Sequence, residues 1–272
     1  MKLANVRGVN GLIGFWAVLF AAVLGGSLMA APSFAQTEAK ADKSGTNPIN
    51  FTNDLRLYYE YQDLTGGGDV HIGTFEGRTP ALDGKLQLRV RVPFKSVDIN
   101  SGPINISDSG LGDINVRVLN VPFLNPKGGT AIAVGLEAIF PTASEDILGE
   151  GKFSLGPQIF GVKFLPFGIK GSLIAPAVQQ VFSVAGDDDR ADVNRTQLDL
   201  FFLKQSDNKR TYVLLDPQYV FNWENDTQFG IVEAEAGYVL ESGVSFYARP
   251  GFGYGGDKPF DFNFEFGTKY IF

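Results

Sequence analysis

Residues 260–272 read FDFNFEFGTKYIF. Phe260, Phe262, Phe264, Phe266, Tyr270 and Phe272 fall on one side of the chain, interrupted only by Thr268. Asp261, Asn263, Glu265, Gly267 and Lys269 fall on the other. A period of two is the signature of a β-strand whose faces meet different surroundings. One face here must accommodate six aromatic rings, the other charge.

The same pattern runs backwards through the chain. In 84–96, Leu86, Leu88, Val90, Val92 and Phe94 alternate with Lys85, Gln87, Arg89 and Arg91. In 54–64, Leu55, Leu57, Tyr59 and Tyr61 alternate with Arg56, Tyr58, Glu60 and Gln62. Segments 210–223 and 228–240 behave likewise. Strand-like segments separated by turn signals are expected at 54–64, 69–77, 84–96, 110–122, 129–140, 153–165, 168–182, 192–204, 210–223, 228–240, 243–254 and 260–272. Each is about as long as a tilted strand needs to cross a bilayer. Pro157 and Pro176 fall inside two of these segments, where a missing ladder donor predicts bulges. No segment carries a helical stripe.

The connections predict an orientation. Turns at 81–84, 125–129, 165–168 and 241–243 are tight, and 205–209 is nearly so. Loops 97–109, 141–152 and 183–191 are longer, polar and rich in Gly and Asp. Tight turns at one end and longer loops at the other are the asymmetry of outer-membrane barrels. Both termini are then expected on the short-turn side, the periplasm.

Composition agrees. The chain has no Cys, so neither disulfides nor thiolate chemistry is available. A net charge of −7 argues against a nucleic-acid partner. Mean hydropathy is +0.01, which is ordinary for barrels because each strand is only half apolar. The 24 Phe suit an apolar outer band, and the 33 Gly are unfavourable in helices. Lys2 and Arg7, the apolar run 12–29 and Ser33-Phe34-Ala35 form a signal-peptide pattern cleaved before Gln36. The expected organisation is therefore a signal peptide at 1–35, a flexible periplasmic lead-in at 36–52 and an outer-membrane barrel at 53–272. A soluble barrel or sandwich would put the aromatic face inside, and so many rings would overfill a small interior.

An aromatic strand that stops on Phe272 resembles the closing strand of bacterial outer-membrane barrels. That resemblance implies the barrel assembly machinery as a partner, with lipid and lipopolysaccharide around the wall. Further stretches narrow it. They are Ser109-Gly110-Leu111-Gly112-Asp113, Phe140-Pro141-Thr142-Ala143-Ser144, Leu148-Gly149-Glu150-Gly151-Lys152 and Val193-Asn194-Arg195-Thr196-Gln197-Leu198. In this order they resemble the transporter-like outer-membrane family named for the MetA-pathway of phenol degradation. The resemblance covers about residues 50 to 272. It implies a barrel that passes small organic molecules, with no catalytic residues to carry over.

The residues themselves suggest no enzyme. His71 is the sole histidine, and Gly73 stands where a partner serine would be needed two positions on. Gly251, Gly253 and Gly256 fit G-x-G-x-x-G, but an aromatic strand follows instead of a helix. Asp187-Asp188-Asp189 could offer oxygen ligands to Ca²⁺, yet it reads more simply as a solvated loop tip. No cofactor and no metal is expected.

The inward faces are the candidate site. Arg56, Glu60, Lys85, Arg89, Arg91, Arg117, Glu233, Glu235, Arg249, Asp261 and Glu265 are expected to line the lumen, with Glu137, Arg195, Asp199 and Asp216 beside them. The early strands are rich in arginine and the late ones in carboxylates. Closure should set these sectors side by side at the seam. The sequence thus predicts an antiparallel up-and-down barrel of about twelve strands carrying a small solute, hydrophobic or aromatic. The alternative is a structural or adhesin-type barrel whose lumen is shut by salt bridges.

Overall fold

The computed structural model describes residues 44–165 and 171–272. The expected signal peptide and most of the lead-in lie outside the described residues. Thirteen strands follow one another, each antiparallel to its neighbours. They are β1 (Asp54–Leu64), β2 (Gly68–Ala81), β3 (Leu86–Ser101), β4 (Ile104–Leu111), β5 (Ile114–Asn125), β6 (Thr130–Phe140), β7 (Lys152–Leu165), β8 (Ser172–Gly186), β9 (Asn194–Gln205), β10 (Thr211–Asn222), β11 (Thr227–Val239), β12 (Val244–Tyr254) and β13 (Phe260–Ile271).

β13 pairs with β1 from Asp54↔Ile271 to Leu64↔Phe260, which closes the sheet on itself. β3 has two partners on one edge. Its first part, Leu86 to Arg91, pairs with β5, and its last part, Phe94 to Ser101, pairs with β4. Only Gly112 and Asp113 separate β4 from β5, so the two are successive halves of one stave. The result is a closed barrel of twelve staves. The break has a local cause. Pro93 has no N–H to offer the ladder, and its carbonyl accepts from Gly112 N at 2.8 Å. A Cβ at Gly112 would stand 3.1 Å from Pro93 Cγ, so glycine permits the approach.

The expected loop 97–109 is instead a hairpin. β3 runs on to Ser101 and β4 returns from Ile104, turning through Gly102 at φ 58°. The alternation of the early strands simply continues past the body of the barrel. Tight connections also occur at the loop-bearing end, at 65–67 and 223–226, so three segments (141–151, 187–193 and 255–259) carry the asymmetry. The prolines cause no bulge. Leu155↔Phe182 and Gln158↔Gln179 keep one register across Pro157. The shifts fall at Phe153/Ser154, Asn120/Phe123 and Asp63/Leu64.

The outer face is apolar, with Leu57, Phe75, Phe94, Val213, Phe246, Phe252, Phe262 and Phe266 all exposed. In a soluble protein such a band would be a liability, whereas lipid is its proper solvent. Phe260 departs from the row. The shift at Asp63/Leu64 skips Asp261, and Phe260 is buried instead of facing outward.

The interior is layered. Toward the tight-turn end lie Leu173, Leu203, Tyr212, Leu214, Val239 and Tyr247, with Leu119, Ala133, Phe160 and Ala177 above them. Residues 44–52 fold into this end. Ile49 packs against both clusters and Phe51 against the second. Ser44 is fully buried, and its hydroxyl accepts from Gln205 Nε2 at 3.0 Å. This part of the expected flexible lead-in is therefore held inside the wall. At the other end Leu148 packs on Val70 and Val97. Charged side chains occupy the middle.

Candidate functional site

Inward-facing charges begin with a basic sector on β1, β2, β3 and β5. Arg56 Nε lies 2.9 Å from Asp54 and 3.3 Å from Glu76. Arg78 Nε lies 2.8 Å from the same aspartate. Arg91 reaches Glu76 at 2.5 Å, and Arg89 reaches Glu137 at 2.5 Å. Arg56 and Arg78 also donate to the carbonyl of Gly45, at 2.6 and 2.9 Å. The inserted segment is thus tied to the wall through its backbone.

A second sector spans β9 to β13. Arg249 bonds Glu235 at 2.5 Å and approaches Glu233 at 3.6 Å. Lys269 Nζ bonds Glu235 at 2.6 Å and Tyr212 at 3.0 Å, and sits 4.2 Å above the Tyr247 ring. The Tyr247 hydroxyl donates to Glu265 at 2.6 Å. Asn263 donates to Glu233 at 2.6 Å and to Glu60 at 3.3 Å. Among the described residues, Asp199 accepts from Gln197 Nε2 and Asp216 from Gln218 Nε2, with no ion pair to either.

The two sectors carry opposite charge. The first has five arginines (56, 78, 89, 91, 117) against Asp54, Glu76 and Glu137, a surplus of two positive charges. The second, counted with Glu60, has six carboxylates (60, 199, 216, 233, 235, 265) against Arg249 and Lys269, a surplus of four negative. The ion pairs among the described residues stay within each sector. At the seam like meets like, with Glu60 opposite Glu265 and Arg56 opposite Lys269. Closure does set the two sectors side by side, but among the described residues no ion pair joins one to the other. The strand parity of β2 brings in Glu76 and Arg78, and β13 adds Lys269.

Of the remaining residues, Lys85 sits in the turn before β3. Asp261 lies outside the lumen, half exposed and paired with Lys258 at 2.9 Å, because the register shift turns it outward. His71 is on the outer wall against the rings of Tyr59 and Tyr61, bonded to the Tyr59 hydroxyl. Gly251 leaves room for Asn263 and Glu233 inside the barrel. Among the described residues no group of His, Cys, Asp and Glu could hold a metal ion.

The motifs that carry the family resemblance gather at the loop-bearing end. Asp113 accepts from Ala143 N at 3.1 Å and Glu150 N at 2.7 Å. Thr142 accepts from Ile114 N at 2.9 Å. Arg190 donates to the carbonyl of Asp146 at 2.7 Å, and Arg195 pairs with Glu150. Lys152 lies 3.1 Å from Asp192. Hydrogen bonds from Lys152 and from the Ser183 hydroxyl hold the Asp192 carboxyl below its usual pKa. These contacts fold segment 141–151 inward as a clasp and seat Leu148.

No family model matches the chain, and no curated protein matches it. Solved structures do. An outer-membrane channel from Pseudomonas putida F1 is 14% identical with a TM-score of 0.66, over 81% of this chain and 95% of that one. The beta domain of the Bordetella autotransporter BrkA is 12% identical with a TM-score of 0.52, over 81% and 99%. The KdgM porin is 10% identical with a TM-score of 0.51, over 80% and 99%. The likeness is one of fold: a closed outer-membrane barrel used by a channel, a porin and an autotransporter alike.

Proposed function

We propose that this protein is a bacterial outer-membrane channel for passive passage of a small solute. The observation that carries this reading is the interior, whose two walls hold opposite unbalanced charge. A wall built only for stability would pair its charges, since a buried unpaired charge is costly. A wall that meets a solute or water can keep them and select by charge. Apolar clusters on either side of the charged layer, together with the resemblance to the MetA-pathway family, support a hydrophobic or aromatic solute. Residues Arg56, Glu60, Arg89, Arg91, Arg117, Glu233, Glu235, Arg249 and Glu265 would line the path.

The second reading is a closed barrel with a structural or adhesive role. The insertion of residues 44–52 favours it. Planar-bilayer recordings separate the two. A channel gives discrete conductance steps, and deleting 44–52 enlarges them. Silence from both forms, each verified as folded, would establish the closed barrel.

A further inference from the structure

One part of the interior wall holds donors with nothing to donate to. Gln87 Nε2 and Arg89 Nε on β3, Arg117 Nε on β5 and Gln158 Nε2 on β7 are buried without a hydrogen-bond partner. Gln87, Arg89 and Gln158 are 2%, 4% and 5% exposed. The ladders bring them together. Arg89 stands opposite Arg117, and Gln87 opposite Leu119. Leu119 faces Gly135, which in turn faces Gln158. Gln87, Leu119, Gly135 and Gln158 thus form one interior row, and Arg89, Arg117 and Glu137 the next. A Cβ at Gly135 would stand 3.0 Å from Gln158 Cγ, so the glycine leaves that side chain its space.

A buried donor left without an acceptor is costly, so four on neighbouring positions call for one. The arginine nitrogens are donors whichever way the amides are turned. Asn115, the preceding inward residue of β5, leaves its amide oxygen open beside them, and its amide can present either end. Charge points the same way. Three guanidiniums (Arg89, Arg91, Arg117) meet two carboxylates (Glu76, Glu137), leaving one positive charge over. Arg117 has no carboxylate within ion-pair distance among the described residues. Other open acceptors are Asn120 Oδ1 on β5, whose amide nitrogen donates to Lys85 O, and Asp216 Oδ1 and Asn263 Oδ1 on β10 and β13, in the acidic sector.

We infer that this wall is a binding subsite for an organic carboxylate. The carboxylate lies on the guanidinium of Arg117, in the planar geometry that suits two parallel N–H···O bonds. Arg89 Nε and the two glutamine amides complete its shell. Leu119 follows Arg117 along the inner face of β5, and Phe160 follows Gln158 along β7. With Ala133 and Ala177 they form the adjacent apolar cluster, which receives the body of the ligand where Ile49 and Phe51 now pack. The acidic sector repels the same carboxylate and so fixes its orientation. The subsite rests on the proposed reading of the lumen as a solute path.

The test is calorimetry on the full mature protein in nanodiscs, with octanoate, 1-octanol and inorganic phosphate as probes. Wild type should bind octanoate at least tenfold more tightly than octanol. Arg117→Gln should lose that preference, while Arg117→Lys should keep part of it. Equal affinities for octanoate and octanol in wild type would overturn the subsite, as would an undiminished preference in a folded Arg117→Gln protein. Phosphate competing as well as octanoate would overturn the organic ligand. Should Arg117→Gln not fold, the wild-type comparison decides alone. Discrete conductance steps in planar bilayers without a carboxylate preference in calorimetry sink the subsite and leave the channel. Octanoate preference in calorimetry with no conductance sinks the channel and leaves the subsite.

Discussion

Lys269 and Glu235 meet across an intervening strand, Nζ to Oε1 at 2.6 Å, with side-chain exposures of only 2% and 0%. Tyr212 donates to the same carboxylate oxygen at 2.6 Å. Glu235 thereby links β10, β12 and β13 to β11. Removing one partner of such a pair strands the other, at a cost of about 3–5 kcal/mol. Lys269→Met should lower the thermal unfolding temperature sharply, and Lys269→Met with Glu235→Gln should recover much of it. The measurement is the loss of β-sheet circular dichroism on heating in detergent. A double variant no more stable than the single one would show that the charges are not coupled.

Arg89→Ala with Arg91→Ala leaves Glu137 and Glu76 without these ion pairs. The lumen then gains negative character. The reversal potential in a salt gradient should move toward cation preference, and the unfolding temperature should fall. An unchanged potential together with unchanged unfolding would place these arginines outside the conduction path.

Asp113→Ala tests the clasp. It removes the acceptor for two backbone donors, Ala143 N and Glu150 N, each bond to a charged group being worth about 1.5–3 kcal/mol. The expected result is faster proteolysis within 141–151 with the rest of the barrel still resistant. Acid should act in the same direction. The depressed Asp192 carboxyl supports the clasp above its unfolded pKa, and that support fades as pH falls through the folded value. Protease resistance of the variant equal to wild type would mean the loop is held by other contacts.

Phe266→Arg puts a charge on the outer band, where the cost is about 2–4 kcal/mol at the bilayer midplane. Asp261→Asn, at an exposed position paired with Lys258, should cost little. Outer-membrane yield of folded protein, read by heat-modifiable gel migration, should drop for the first alone. Equal yields would put Phe266 away from lipid.

Much of this was legible in the alternation. The strands reproduce the expected twelve staves because a period of two survives any loop length. What was hidden depended on register, which one strand cannot reveal. Glu76 and Lys269 share a parity with other inward residues, yet their partners come from strands far along the chain. A single skipped residue in a ladder leaves no mark on a sequence pattern. The shift at Asp63/Leu64 is of that kind, and it exchanges the expected places of Phe260 and Asp261. The inserted segment was hidden by its polar composition. Ile49 and Phe51 were its sole apolar signals, and two residues make no periodicity. The hairpin beyond the barrel did have a signal, since Ile104 and Ile106 continue the alternation after Gly102-Pro103.

The β1–β13 ladder also governs the order of events in folding. Asp54 and Ile271 are partners 217 residues apart, since 271 − 54 = 217. Every other ladder joins strands that follow closely in the chain, so local hairpins can form early and the seam forms last. Until then β1 and β13 are bare edges of an open sheet, each inviting a foreign strand. The slow, vulnerable step for this molecule is the meeting of its two outermost strands, and a substitution that delays it would reveal itself as aggregation before any change in the finished barrel.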